Sequence, residues 1–196
     1  MNKRFFALMT ILIAIIAVLV GLYASGIFMP KTDFDTKFIS GTIYGDATLN
    51  KDYNRYNNWS VNYIDKTDNI SYIFIIVKDG TFLMDIFKFS GFQKVESKLY
   101  NDVKWDVYFL KTSKSSNIPD ENSNSYQPPI FYYNYVCTTN QNGANYFILL
   151  SSPKVIGSTS LNSDLFNNHL IPLLETIEVK NIEHVPTVQD VLKSTR

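Results

Sequence analysis

Hydrophobic and polar positions divide this chain into two unequal parts. Phe5 to Met29 is 25 consecutive residues without a charge, and Phe5 to Tyr23 is almost entirely Ile, Leu, Val, Ala, Phe and Met. A helix over those 19 residues rises about 28 Å, close to the ~30 Å hydrocarbon core of a bilayer. Lys3 and Arg4 precede the run, whereas Lys31 and Lys37 beyond it are offset by Asp33 and Asp35. That asymmetry predicts a cytoplasmic N-terminal side, with residues 31–196 outside. Pro30 ends the helix, because its ring blocks continuation.

The run reads as an uncleaved signal anchor or as a cleaved signal peptide. Ala24 and Gly26 are spaced like a cleavage site that would leave Ile27 first. The length of the run exceeds the usual 7–15-residue signal core and favours the anchor. No cysteine follows the run to carry a lipid, and no acidic residue near its start suggests a pilin. We therefore expect a domain boundary at residue 30, with 1–30 the transmembrane helix and 31–196 one extracytoplasmic domain.

Beyond residue 30 the period shortens to two. Lys37 to Leu49 is a weak strand candidate, broken by Gly41 and Gly45. Trp59 to Tyr63 alternates, with Trp59, Val61 and Tyr63 on one face and Ser60 and Asn62 on the other. Asp65 to Asn69 is a polar turn. Ser71 to Lys78 is apolar on both faces, as in a central strand covered on two sides. Asp79-Gly80 reads as a hairpin turn that would make Thr81 to Phe89 a partner strand. Ser90 to Asp102 is a connection or a short strand.

Val103 to Lys111 is a strand with Trp105, Val107 and Phe109 on one side. The Ser-, Asn- and Pro-rich stretch 113–129 predicts a mobile surface loop. Ile130 to Thr139 places Phe131, Tyr133, Tyr135 and Cys137 on one face; Asn140 to Gly143 turns the chain, and Ala144 to Ser151 closes the pair. The period then lengthens. Phe166, Leu170, Leu173, Leu174 and Ile177 form one stripe of an amphipathic helix, with Asn162 or Ser163 as N-cap and Pro172 kinking or splitting it. Thr176 to Lys180 returns to strand, and the tail from Glu183 docks as a last helical turn or frays. The expected fold class is α+β: a mostly antiparallel β-sheet packed with a C-terminal amphipathic helix, preceded by one N-terminal transmembrane helix.

Composition narrows the function classes. Eighteen basic residues balance 18 acidic ones, which argues against a nucleic-acid partner. The single cysteine, Cys137, excludes an intrachain disulfide and a Cys-rich zinc site. Its position in an apolar strand face suits a small buried hydrophobe.

Only two histidines exist, His169 and His184. His169 on the predicted helix reads as a surface or cap residue. Walker, dinucleotide-binding, EF-hand and Gly-x-Ser-x-Gly patterns are absent. Asp65, Asp68 and Asn69, and again Asp120, Glu121, Asn122 and Asn124, supply oxygens that would suit calcium but read as solvated turns. Asp102 and Asp106 are a carboxylate pair that acid–base chemistry on sugars could use, and they read as surface charge. We assign no catalytic, cofactor or metal residue and expect no cofactor. Asn58-Trp59-Ser60 and Asn69-Ile70-Ser71 make Asn58 and Asn69 candidate glycan acceptors. In the aromatic run 131–135 one face must be core, which leaves Tyr132 and Asn134 as a small outward platform.

The strand Lys104-Trp105-Asp106-Val107-Tyr108, the polar loop after it, the strand pair ending in Tyr146-Phe147-Ile148-Leu149-Leu150-Ser151-Ser152 and the segment Leu173-Leu174-Glu175-Thr176-Ile177-Glu178-Val179-Lys180 resemble PsbP-like domains over residues 59–182. These are α/β/α sandwiches with a central antiparallel sheet, found in photosystem extrinsic subunits, a Ran-binding import factor and surface proteins of methanogenic archaea. The resemblance implies a non-enzymatic binding or accessory module and carries over no functional residue; the start, residues 37–58, departs from the family's usual opening. The combined expectation is a membrane-anchored module at the cell envelope, with the membrane and an envelope or membrane protein as partners. An envelope hydrolase using carboxylates and a secreted, cleaved form are the alternatives.

Overall fold

The computed structural model describes residues 3–24, 29–51, 59–114, 130–155 and 164–190. The chain divides into two compact units, Met1–Pro30 and Lys31–Arg196. In the first, helix α1 (Lys3–Ala24) runs for 22 residues. Its side chains are described only over residues 9–21. Among the described residues no helix is long and apolar enough to cross a membrane.

The second unit is α+β with antiparallel sheets. Seven strands form the larger sheet: β3 (Ala47–Leu49), β4 (Ser60–Asp65), β5 (Ile70–Val77), β6 (Gln93–Tyr100), β7 (Val103–Lys114), β8 (Ile130–Gln141) and β9 (Ala144–Val155). Their spatial order is β3-β4-β5-β9-β8-β7-β6. A smaller sheet joins β1 (Lys31–Asp35), β2 (Ile39–Tyr44) and β10 (Glu178–Val179), with β2 in the middle. Two of the hairpins turn on consecutive residues with positive φ, Asn101 and Asp102 before β7 and Asn142 and Gly143 before β9. These conformations follow the right-handed twist of the paired strands.

Each face of the large sheet has its own cover. On one, Tyr72, Phe74, Ile76, Trp105, Val107, Cys137, Tyr146 and Ile148 pack with Phe34, Phe38, Ile39 and Ile43 of the small sheet and with Leu165, Leu170, Leu173, Leu174 and Ile177. On the other, Val77, Tyr108, Val136 and Phe147 meet Leu83, Met84, Phe87 and Phe92. Strand β5 feeds both cores from alternate residues, which explains why its sequence is apolar throughout.

Two sequence expectations are corrected. Thr81–Phe89 is a helix, α2, not a strand. Leu83, Met84 and Phe87 share a helical face and fill the second core, and this burial outweighs the β propensity of the phenylalanines. Asp79 and Gly80 make no hairpin; Asp79 Oδ1 accepts from Thr81 N–H at 3.1 Å, and Gly80 has negative φ. Gly80 instead provides room, since a Cβ there would lie 2.6 Å from Asn145 Cβ. The partners of β5 are β4 and β9. Ser90–Asp102 holds a full eight-residue edge strand. The weak candidate 37–49 holds β2 and β3, and β1 precedes it unforeseen.

The C-terminal helix starts as a π-helical stretch (Leu165–Leu170) and continues as α3 (Ile171–Thr176). Ile171 N–H donates to Phe166 O, five residues back. The wide turn accommodates Pro172, which lacks an N–H and whose ring would strike the carbonyl one α-turn earlier. The expected caps Asn162 and Ser163, most of the loop 113–129, and the oxygen cluster 120–124 lie outside the described residues.

Candidate functional site

A polar recess among the described residues lies where the β4–β5 turn, the end of β9 and the π-helical stretch meet. It encloses about 380 Å³ and is lined by Thr67, Asp68, Ile70, Ser152, Pro153, Asp164, Leu165 and His169. Its geometry begins with Asp65. Asp65 Oδ1 accepts from Thr67 N–H at 2.9 Å and Asp68 N–H at 3.3 Å, closing the turn that presents Asp68. Asp65 Oδ2 is buried without a hydrogen-bond partner among the described residues. Gly45, at φ +154, gives it space: a Cβ there would lie 2.0 Å away.

His169 is buried, which corrects its expected surface or cap role. Leu165, His169 and Leu173 follow one another at i, i+4 and i+8, and all three are buried. The imidazole Nδ1 lies 2.9 Å from the Tyr44 carbonyl oxygen and 3.1 Å from Tyr72 Oη. A carbonyl can only accept, so we assign the proton to Nδ1. The Nε2 side then faces Asp68, whose Oδ2 is 4.0 Å away. Burial holds the Tyr72 hydroxyl well above the ordinary tyrosine range, and the charges of Asp65 and Asp68 add to the effect. Tyr72 is therefore a neutral hydrogen-bonding group at any physiological pH.

Ser152, His169 and Asp68 line one recess without forming a nucleophilic triad. Among the described residues no hydrogen bond joins Ser152 to the imidazole, and Nδ1 is committed to Tyr44. What the recess offers is a polar lining, with the imidazole Nε2 beside the half-exposed Asp68 carboxylate. That set suits a small polar ligand. Among the described residues no three His, Cys, Asp or Glu side chains converge on a metal position.

The other candidates are placed apart. His184 is exposed. Asp102 sits in the β6–β7 turn, whereas Asp106 lies on β7, 2.8 Å from Lys94 Nζ and 2.7 Å from Ser97 Oγ. Burial alone would raise the Asp106 pKa, but the hydrogen bonds from Lys94 and Ser97 and the charges of Lys94 and Lys104 prevail and lower it. That is opposite to what a general acid needs. Cys137 is fully buried, and burial, with Glu96 adding, pushes its thiol far up. The Asn134 amide is spent on the Leu110 carbonyl and on Ser151 Oγ, so it forms no open platform with Tyr132. Asn69 is exposed at φ 54 in the β4–β5 turn; Asn58 lies outside the described residues.

No protein-family profile matches the chain. No curated protein matches it either. Solved structures do. A crystal structure from Bacteroides thetaiotaomicron is similar at TM-score 0.46 and 10% identity, over 79% of this chain and 49% of that one, so this chain spans about half its length. The Saccharomyces cerevisiae Ran-binding protein Mog1p is similar at TM-score 0.47 and 10% identity, over 82% of this chain and 98% of that one. A point mutant of protein Mog1 gives TM-score 0.47 and 10% identity, over 83% of this chain and all of that one.

Proposed function

We propose that the protein is a membrane-anchored, extracytoplasmic, non-enzymatic binding or accessory module of the cell envelope. The observation that carries this reading is the uncharged run Phe5–Met29, of which residues 5–24 lie within helix α1, ahead of a separate compact unit. A helix of 22 residues rises about 33 Å, against a hydrocarbon core of about 30 Å. Lys3 and Arg4 on one side, against the balanced charges at 31–37 on the other, support an outside position for the α+β unit.

The non-enzymatic part rests on the recess and on Asp106. The recess has polar groups for a small ligand, and among the described residues no nucleophile in it is hydrogen-bonded to the imidazole. Asp106 is held in its charged form by Lys94 rather than poised as an acid. The PsbP-like reading is part of the proposal, supported by a central antiparallel sheet covered on both faces. Asn69 in its exposed turn is the proposed glycan acceptor in a host that modifies such sites.

The test is alkaline carbonate extraction of membranes from expressing cells, followed by affinity capture from detergent extracts. We expect the chain to stay with the membrane until detergent is added, and to bring one stoichiometric protein with it. Release by carbonate alone overturns the anchor. Capture without any partner, together with hydrolytic turnover by the purified chain, overturns the accessory role.

A further inference from the structure

Strand β6 ends the seven-stranded sheet. Among the described residues it pairs on one side only, with β7. Its other edge presents unpaired backbone donors and acceptors, a ready template for another strand. Two residues of this edge strand are exposed apolar ones, Val95 at 51% and Leu99 at 60%. Leu99 pairs with Lys104 and Ser97 with Asp106, so Ser97 and Leu99 lie on one face and Glu96, Lys98 and Tyr100 on the other, while Val95 is the extra residue of the bulge between Lys94 and Glu96.

We propose that β6 is the pairing edge for a second copy of this chain, with the two strands antiparallel about a two-fold axis through Ser97. The argument is self-complementarity. A two-fold axis perpendicular to the sheet keeps each face continuous, so only registers centred on a residue are allowed. Centring on Ser97 sets Glu96 opposite Lys98 twice within the regular part of the strand. Centring on Glu96 sets that carboxylate against itself and Lys94 against Lys98. Centring on Lys98 sets that ammonium against itself. Centring on Val95 puts the axis on the bulged residue itself, reaches only from residue 93 to 97 and leaves Leu99 uncovered. Opposite charges and apolar pairs directly across antiparallel strands stabilise, and like charges destabilise. The Ser97 register alone sets opposite charges across the axis on both sides, brings Leu99 of each copy into the seam and keeps the axis off the bulge. It also brings the exposed Phe82, Ile86 and Phe89 of α2 in both copies to the same face of one continuous sheet.

The test uses the full chain in membranes or detergent. Ser97→Cys places two thiols directly across the axis, whereas in Leu99→Cys the two thiols are separated by four residue rises, about 14 Å. The buried Cys137 supplies an inert background. With a short homobifunctional maleimide we expect Ser97→Cys to cross-link into dimers and Leu99→Cys and Lys66→Cys not to. Adding Lys98→Glu to Ser97→Cys is expected to cut the dimer yield about fivefold to tenfold, and Glu96→Lys in that same chain is expected to restore it. Equal cross-linking at positions 97 and 66, no cross-linking at 97, or no response to the charge reversal overturns the proposal. Light scattering of the unsubstituted chain in detergent gives an independent reading: a concentration-dependent dimer supports it, and a monomer at every concentration overturns it.

Discussion

Replacing His169 by alanine isolates the interaction that ties three parts of the unit Lys31–Arg196 together. The imidazole links the π-helical stretch to the Tyr44 carbonyl of β2 and the Tyr72 hydroxyl of β5, all in a buried setting. Removal leaves two buried polar groups without this partner, each worth about 1–3 kcal/mol, and opens a space where a ring had packed. We expect a loss of about 3–5 kcal/mol. Tyr72→Phe removes one hydroxyl and leaves the contact between His169 and Tyr44, so it should cost about 1 kcal/mol. In the double variant one of the orphaned groups is already gone, so its loss should fall short of the sum by about 1–2 kcal/mol. Urea unfolding followed by tryptophan fluorescence reads this directly. At a slope of about 2 kcal/mol per molar urea, the midpoint moves by about 2 M for His169→Ala and about 0.5 M for Tyr72→Phe. A His169→Ala loss near that of Tyr72→Phe, or strict additivity of the two, would refute the reasoning.

Gly45→Ala should destabilise by about 2 kcal/mol or more, because its Cβ meets Asp65 Oδ2 at 2.0 Å in a backbone conformation that L residues resist; thermal melts check it. The Cys137 thiol should resist alkylation in the native protein at mildly alkaline pH and react fully in denaturant; stoichiometric native labelling contradicts its burial. The Asp106 carboxyl has a lowered pKa in the folded state, so its interaction with Lys94 contributes at pH above about 4 and is lost as pH falls through the folded value. Both partners are substantially solvent-exposed, which limits the effect to under about 1 kcal/mol. Urea midpoints of the parent and Asp106→Asn should therefore differ at neutral pH and converge in acid.

Strands whose residues alternate cleanly, such as the one carrying Trp105, Val107 and Phe109, were legible in sequence because one face is buried. The continuous apolar run of β5 was legible for the complementary reason, since both faces are covered. Helix α2 was not, because nine residues rich in Phe fit either period and only the second core decides between them. Gly41 read as a break yet sits inside β2, where a Cβ would come within 3.3 Å of Ile177. The recess was invisible for a longer-range reason. Asp68 and His169 are a hundred residues apart, and Tyr72 read simply as one more apolar position of β5. The one available signal was the i, i+4, i+8 spacing of Leu165, His169 and Leu173, which places a polar ring on a core-facing stripe.

The central proposal is topological: residues 1–30 anchor the chain, with Lys31–Arg196 outside the membrane. Lys66, exposed in the β4–β5 turn, offers the direct test, because the lone native thiol is buried and silent. Lys66→Cys should be labelled on intact cells by a membrane-impermeant maleimide, to the same extent as after lysis. Labelling that appears only once the cells are broken would contradict the account.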